Sequence, residues 1–172
     1  MLANLLRALI VTVLAGLVAA AIEWGSRETL QARPRVIDGD TLAVDGREVR
    51  LAGIDAPEYR QGCERSGKAW ACGEEAATAL RRLVGSGPIR CEGRRRDKYG
   101  RLVARCTTAE DLGARLVRDG LAVAYGDYEA EEAAAKTARR GLWAGTFERP
   151  ADWRARVERE AAEKAGEGPR AK

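Results

Sequence analysis

Histidine is absent from all 172 residues of this sequence, and its absence narrows the chemistry that the protein can perform. Without histidine there is no Ser-His-Asp triad and no imidazole general base, and nearly all histidine-containing zinc sites are excluded. Any catalysis therefore has to use carboxylates, arginine, lysine, tyrosine, cysteine or a metal ion held by oxygen atoms.

The sequence also lacks a CxxC pair, which argues against a zinc ribbon or a thioredoxin-type redox site. Its four cysteines are Cys63, Cys72, Cys91 and Cys106. An even number in an exported chain favours two disulfides, and four cysteines allow three pairings. We favour Cys63–Cys72, which would close a loop locally, and Cys91–Cys106, which would face each other across a β-ribbon. Four buried free thiols are the alternative.

The remaining composition is ordinary for a globular domain, with 45% apolar and 33% charged residues. The length is enough for one domain with a hydrophobic core. A net charge of +4 is only a weak indication of a polyanionic partner.

An unbroken apolar run, Ala8 to Ile22, follows Arg7 near the amino terminus. The run fits a signal peptide with a small-residue cleavage site at Ala19-Ala20-Ala21; with residues 2–7 added, it is long enough for an uncleaved membrane anchor. A core helix is disfavoured because the run is apolar on every face. Both interpretations predict export, either as a secreted or periplasmic protein or as a domain anchored outside the cytoplasm, with residues 2–22 contacting the membrane.

We therefore divide the chain into a signal peptide or anchor (1–22), a polar linker (23–33), a folded domain (34–148) and a charged tail (149–172). The tail is predicted to be helical at first and disordered from about Gly166.

The domain shows short apolar segments punctuated by turns. Strands are predicted over 35–39, 41–44, 47–54, 88–92 and 101–107, helices over 73–84, 111–119 and 129–140, an extended segment over 121–125, and a loop over 59–71. Asp45-Gly46 is a hairpin signal. This order predicts an α+β fold: a five-stranded OB-type β-barrel with three α-helices, preceded by an N-terminal hydrophobic helix.

The segment VIDGDTLAVDGREVRLAGIDAPE, Val36 to Glu58, is unusually acidic. It holds six carboxylates and two arginines in 23 residues. Such acids are common in turns, and they are also the oxygen ligands that Ca²⁺ and Mg²⁺ prefer. The segment alone does not separate a set of turns from a metal site.

Four motifs then occur in register: VIDGDT, RLAGIDAPE, DKYGR and LVRDGLAVAY. Between Val36 and Trp143 the chain thereby resembles the staphylococcal nuclease (thermonuclease) family. The resemblance implies an OB barrel with three helices. It also implies an endonuclease-type hydrolase that cleaves phosphodiester bonds of DNA and RNA with calcium and leaves 3′-phosphorylated products.

The resemblance also implies a calcium site. Its ligands would be Asp40, Asp55 and the main-chain carbonyl of Ala56, with Asp38 as an acid beside them. Ala56 stands where the family often has threonine, which removes a hydroxyl but keeps the backbone ligand. Carboxylates and a carbonyl favour Ca²⁺ or Mg²⁺ over zinc.

Further roles follow from the same motifs. Glu58 matches the glutamate that positions or deprotonates the attacking water, and Arg50 and Arg101 match the two arginines that grip the phosphate. The guanidinium fork donates two parallel hydrogen bonds, which suits a phosphate. The positions that would contact the nucleotide are Lys98, Tyr99 and Tyr125. Backbone contacts and base stacking would give little sequence preference.

Two other interpretations remain open. The domain could be a non-catalytic OB module that binds nucleic acid or protein, or a membrane-anchored scaffold. The presence of all the acids and both arginines disfavours loss of catalysis. The sequence indicates nucleic acid as the substrate and gives no sign of a protein partner.

Overall fold

The structure is a computed structural model that describes residues 27–166. Within this range the fold is mixed α+β, with four helices and a six-stranded sheet that curls into a half-barrel. The hydrophobic helix predicted for residues 1–22 and the disordered end predicted after Gly166 lie outside the described residues. None of the helices between residues 27 and 166 is long and apolar enough to cross a membrane.

The strands are short and follow one another closely. In chain order they are β1 (Glu28–Ala32), β2 (Pro34–Val36), β3 (Thr41–Val44), β4 (Arg47–Leu51), β5 (Ile54–Asp55), β6 (Cys63–Arg65), β7 (Lys68–Trp70), β8 (Ile89–Arg96), β9 (Leu102–Thr107), β10 (Val123–Ala124) and β11 (Gly145–Thr146). The main sheet has the order β1-β8-β9-β4-β3-β2, and β4 and β9 are its parallel pair. The small sheets β10-β5 and β11-β6-β7 stand beside it.

The helices are α1 (Cys72–Val84), α2 (Leu112–Arg118), α3 (Glu129–Thr137) and α4 (Pro150–Gly166), with a 3₁₀ turn at Gly141–Ala144. Helix α1 buries Ala76 and Leu80 against the sheet, as the apolar spacing predicts. Asp111 caps α2 by accepting a hydrogen bond from the amide of Ala114 at 3.1 Å.

The β3–β4 hairpin forms at the predicted turn. Asp45 and Gly46 both have positive φ angles, 52° and 72°, which is the backbone conformation of a tight two-residue hairpin turn. The turn fixes the register, so that Thr41 lies opposite Arg50. Asp40, which immediately precedes β3, is therefore brought next to the same arginine.

Both favoured disulfides are present. Cys91 and Cys106 face each other across β8 and β9, and Cys63 joins β6 to Cys72, the first residue of α1. The alternative of four free thiols is therefore wrong for this structure.

The structure contains more strands and helices than the five strands and three helices that the sequence predicted. Residues 28–32, assigned to the linker, form β1 and pair with β8, with Leu30 buried opposite Cys91. Leu30 is the one buried side chain of β1, so the segment reads as polar. The predicted loop over 59–71 contains the β6–β7 hairpin.

One helix boundary also differs from the prediction. Helix α3 ends at Thr137 rather than 140, because Arg139 and Gly141 adopt positive φ angles of 48° and 51°. The helix predicted at the start of the tail is present and begins at Pro150, since proline is favoured at the first position of a helix.

Gly73 in α1 packs directly on the backbone of Glu58. A Cβ atom at residue 73 would lie 1.8 Å from the Glu58 carbonyl oxygen and 2.8 Å from that of Tyr59. The chain after β5 can therefore pass α1 only because residue 73 has no side chain.

Replacing Gly73 with alanine should force these backbones apart and destabilise the protein by about 1–3 kcal/mol, the usual effect of overpacking. Urea unfolding followed by circular dichroism measures the loss. Gly87→Ala is the matched control, because nothing lies within 4 Å of the added methyl group. It should stay within about 1 kcal/mol of the unchanged protein. Equal stability of both variants would contradict the packing described.

Candidate active site

A cavity of about 600 Å³ collects most of the residues predicted to act on a substrate. Those that line it are Asp38, Arg50, Asp55, Glu58, Lys98, Tyr99, Arg101 and Tyr125. The other two predicted site residues lie beneath it: Asp40 is 4% exposed and Ala56 is 3% exposed. The structure thus brings all the predicted site residues into one region.

Arg50 connects the two aspartates expected to bind metal. From its place on β4 it donates one hydrogen bond to Asp40 Oδ1 at 2.9 Å and another to Asp55 Oδ1 at 2.7 Å. Burial acts to lower the pKa of Arg50, but the neighbouring carboxylates raise it above its ordinary value. Arg50 is therefore held in the charged form by the acids that it joins.

Asp40 is tied to three further groups. Its Oδ2 accepts from the Ala56 amide at 3.0 Å, its Oδ1 accepts from the Thr41 hydroxyl at 3.1 Å, and its own amide donates to Asp38 at 3.0 Å. Burial raises the pKa of Asp40 to about 7, with Asp38 and Asp55 adding to the rise and Arg50 opposing it. The loss of hydration at Asp40 thus outweighs the stabilisation that Arg50 gives to its charged form.

Glu58 stands on a turn held by Gln61. The Gln61 side chain accepts from the Glu58 amide at 3.2 Å and donates to the Glu148 carbonyl at 2.7 Å, and the Gln61 amide donates to the Glu58 carbonyl at 2.7 Å. Gln61 is 1% exposed. Sequence reasoning missed it, because a single glutamine in a predicted loop carries no local signal.

Arg154 on α4 is the second residue that sequence reasoning missed. Its guanidinium donates to both carboxylate oxygens of Asp55 at 3.1 Å and to Glu58 Oε1 at 2.8 Å. It lies beyond Trp143, where the motif resemblance stops, in a stretch in which arginine and glutamate recur. Nothing in the local sequence distinguishes it from the neighbouring arginines.

Arg101 approaches the site from the start of β9. It donates to the Thr41 hydroxyl at 3.2 Å and to Asp97 Oδ2 at 2.7 Å, and it lies 5.4 Å from the ring of Tyr99. Thr41 thereby links Arg101 to Asp40. The two predicted arginines therefore reach one adjacent pair of residues, Arg50 through Asp40 and Arg101 through Thr41.

The predicted nucleotide-contacting residues form the rim of the cavity. Tyr99 is 66% exposed and Tyr125 is 73% exposed. The Lys98 ammonium lies 4.9 Å from the Tyr99 ring, and the Tyr125 amide donates to the Gly53 carbonyl at 2.8 Å, next to β5. Two large exposed aromatic side chains beside a cavity with arginines are suited to stacking on bases.

The donor atoms fit a hard divalent cation. Asp38, Asp40, Asp55 and Glu58 place four carboxylates beside Arg50 and Arg154, and Lys98 and Arg101 add positive charge to the same cavity. Only oxygen donors are offered, which matches Ca²⁺ or Mg²⁺. As arranged, however, residues 27–166 contain no group of three or more such side chains close enough together to hold an ion. The carboxylates face guanidinium groups instead.

Comparison with known proteins gives a family match over the region that contains most of this site. Residues 48–145 match the family model described as staphylococcal nuclease homologue. The succinoglycan biosynthesis protein ExoI of Rhizobium meliloti (strain 1021) is 38% identical over 141 residues, which cover 74% of this chain and 74% of that protein.

Relatives with nuclease names also match. A probable endonuclease LCL3 of Verticillium alfalfae is 31% identical over 166 residues, or 84% of this chain and 55% of that protein. Endonuclease YncB of Bacillus subtilis (strain 168) is 33% identical over 129 residues, which cover 63% of this chain and 59% of that protein. The chain therefore spans somewhat more than half the length of these two relatives.

Removing the Arg50 guanidinium would leave two buried carboxylates without their shared partner. Arg50→Met should lower the free energy of unfolding by about 3–5 kcal/mol at neutral pH, as when one partner of a buried ion pair is deleted. Arg47→Met on the same strand is the control, because the Arg47 side chain is 47% exposed and pairs with Glu28 at the surface. It should cost less than about 1 kcal/mol. Similar losses in the two variants, measured by urea unfolding, would refute the importance of the Asp40–Arg50–Asp55 bridge.

Proposed function

This chain belongs to the staphylococcal nuclease homologue family, and we propose that it hydrolyses phosphodiester bonds of DNA, RNA or both with the help of a bound calcium ion. One observation carries the proposal: Arg50 joins Asp40 and Asp55 at a cavity that Glu58 and Arg101 also line. The half-barrel sheet supports the more specific proposal of an OB-type barrel.

The residues that would hold calcium are Asp40, Asp55 and the carbonyl of Ala56. Asp38 supports them by accepting a hydrogen bond from the Asp40 amide. A bound divalent cation supplies charge neutralisation at the phosphate and lowers the pKa of water. The rigid β3–β4 hairpin and the adjacent β5 hold the aspartates in place, as a precise site requires.

Glu58 and the two arginines would act on the substrate itself. Glu58 takes a proton from water as the water oxygen bonds to phosphorus, and the bond from phosphorus to the 5′ oxygen breaks on the opposite side. The 5′ oxygen takes a proton from solvent, and the phosphate stays on the 3′ oxygen. Arg50 and Arg101 bind the phosphate more tightly as negative charge builds in the transition state.

Lys98, Tyr99 and Tyr125 would hold the nucleic acid at the rim. Stacking on a tyrosine ring is tolerant of base identity, since every base has a flat aromatic face. Lys98 adds attraction for the phosphate backbone, which carries no sequence information. We therefore propose a nuclease with little sequence preference.

A non-catalytic binding module is the second candidate. The observation that favours it is the Arg154 guanidinium, which neutralises Asp55 and Glu58 where the chemistry would occur. Such a module would bind nucleic acid through the same basic and aromatic rim without cutting it.

A cleavage assay separates the two candidates. The full-length chain should degrade denatured DNA or RNA in Ca²⁺, stop in EDTA, and leave ends that a polymerase extends only after phosphatase treatment. Glu58→Ala should lower the rate by about 10²–10⁴, the usual contribution of a general base. Arg101→Ala should lower it by about 10²–10³, the cost of losing a donor to a transition-state oxyanion.

Arg105→Ala is the matched control for Arg101→Ala. Arg105 lies on β9, the strand that begins directly after Arg101, and pairs with Asp111 and Asp127 at the surface, away from the cavity. It should leave the rate nearly unchanged, and circular dichroism should show that all variants fold. Binding without cleavage would support the module, and normal rates in both active-site variants would refute the roles assigned here.

We also propose that the domain works outside the cytoplasm. The apolar run Ala8 to Ile22 and the two disulfides both support this, because disulfides persist in oxidising compartments. Amino-terminal sequencing of the protein isolated from its host tests the proposal. A start shortly after Ala21 indicates a cleaved signal peptide, whereas Met1 on membrane-bound protein indicates an anchor. An intact chain in the cytoplasm would refute export.

A further inference from the structure

Helix α4 begins at the buried Pro150 and is half-buried at Trp153, Arg154 and Val157, and Arg154 forms its ion pairs to the acids of the site. Over residues 27–166 the helix supplies no side chain to either hydrophobic cluster. Four of its residues line the active-site cavity: Ala151, Arg154, Ala155 and Glu158. Their spacing of three, four and seven positions places them on one face of the helix. Helix α4 thus forms one wall of the cavity, with Arg154 as the cationic side chain on that face.

Arg154 occupies the oxygen atoms that a cation on Asp55 would need. Its Nη1 and Nη2 atoms take both oxygens of Asp55, and Nη1 also binds Glu58 Oε1 at 2.8 Å. Asp55 Oδ1 is additionally shared with Arg50. Asp55 Oδ1 thus accepts from two guanidinium groups and Oδ2 from one, so a divalent ion at Asp55 would meet the positive charge of Arg154 and few unused lone pairs.

We propose that Arg154 is a positioning residue that competes with the divalent cation for Asp55 and Glu58. In the absence of the cation, Arg154 neutralises the two acids and docks α4 over the cavity. When the cation binds, Arg154 leaves Asp55, Glu58 becomes free to meet water, and α4 loosens. The inference rests on the proposed calcium site.

Arg154, rather than Arg50, is the arginine that gives way. The Arg154 side chain is 36% exposed and that of Arg50 is 21% exposed. Arg50 belongs to a central strand, whereas Arg154 stands on a helix that contributes to neither hydrophobic cluster of the described residues. The nearby Gln61–Glu148 hydrogen bond keeps the start of α4 close to the Glu58 turn, so release at Arg154 does not detach the whole segment.

Calcium affinity is the direct test. Isothermal titration calorimetry of the full-length chain with CaCl₂ should show that Arg154→Met binds calcium about 5- to 150-fold more tightly than the unchanged protein, the usual range of coupling between two ligands. Arg154→Lys keeps the charge but loses the fork that holds both oxygens, and it should bind with intermediate affinity. Arg159→Met removes the same charge from an exposed position of α4 and should change the affinity less than twofold.

Backbone hydrogen exchange supplies a readout that simple removal of charge does not move. Because coupling is reciprocal, saturating calcium should increase exchange in α4 of the unchanged protein and leave α1 unaffected. In Arg154→Met, α4 should already exchange quickly, and calcium should add little. Exchange also shows whether the variant retains its folded core.

The outcomes separate this inference from the proposed function. The competition is refuted if Arg154→Met binds calcium no more tightly than the unchanged protein and calcium does not alter hydrogen exchange in α4 of the unchanged protein. The proposed calcium site would still stand in that case. Failure of every variant to bind calcium overturns both. Tighter binding by Arg154→Met, together with calcium-dependent loosening of α4, supports both.

Discussion

The Arg50 guanidinium is the group on which the candidate site depends. Asp40 and Asp55 are each 4% exposed, so both have lost most of their hydration, and each would repel the other without a cation between them. Arg50 meets both because the β3–β4 register places it opposite Thr41, beside Asp40, and because Asp55 follows five residues later as the last residue of β5. The ion pairs are thus a consequence of the sheet itself, and the sheet cannot rearrange without exposing an unpaired buried charge.

Close backbone approaches extend this rigidity to the rest of the site. A Cβ atom at Gly39 would lie 2.7 Å from the Ala56 side chain, so residue 39 must be small for the Asp38–Asp40 turn to rest on Ala56. Gly73 serves the same purpose between α1 and Glu58. The aspartates, Arg50 and Glu58 therefore stand on elements in van der Waals contact, whereas Arg154 stands on a helix that contributes to neither hydrophobic cluster of residues 27–166. The site thus combines acids and an arginine that the sheet holds with a second arginine that reaches them from a peripheral helix.

The sequence was most informative where structure is decided locally. Asp45-Gly46 specified the hairpin, and the motif spacing from Asp38 to Glu58 placed five side chains that line or underlie one cavity. It was least informative where a partner lies far along the chain. Strand β1 is recognisable as a strand only through its pairing with β8. Arg154 is recognisable as part of the site only through its contacts with acids up to 99 residues away in the sequence. No periodicity or turn signal encodes such contacts, because the residues concerned are ordinary in their own neighbourhood.

The pairing of Asp55 and Glu58 explains why a second arginine is useful at this position. Without Arg154, Glu58 would lose the arginine that it pairs with and Asp55 would keep Arg50, so the repulsion between the two acids would rise whenever no cation is bound. An arginine on the same chain is always present at high effective concentration, so it can neutralise the acids while no metal ion is bound. It must also be weak enough to leave. Since α4 adds no side chain to the two hydrophobic clusters of residues 27–166, its docking depends in part on Arg154, whose partly exposed ion pairs weaken as the ionic strength rises. The affinity of the site for a cation would then depend on how strongly α4 binds to the domain as much as on the metal ligands themselves.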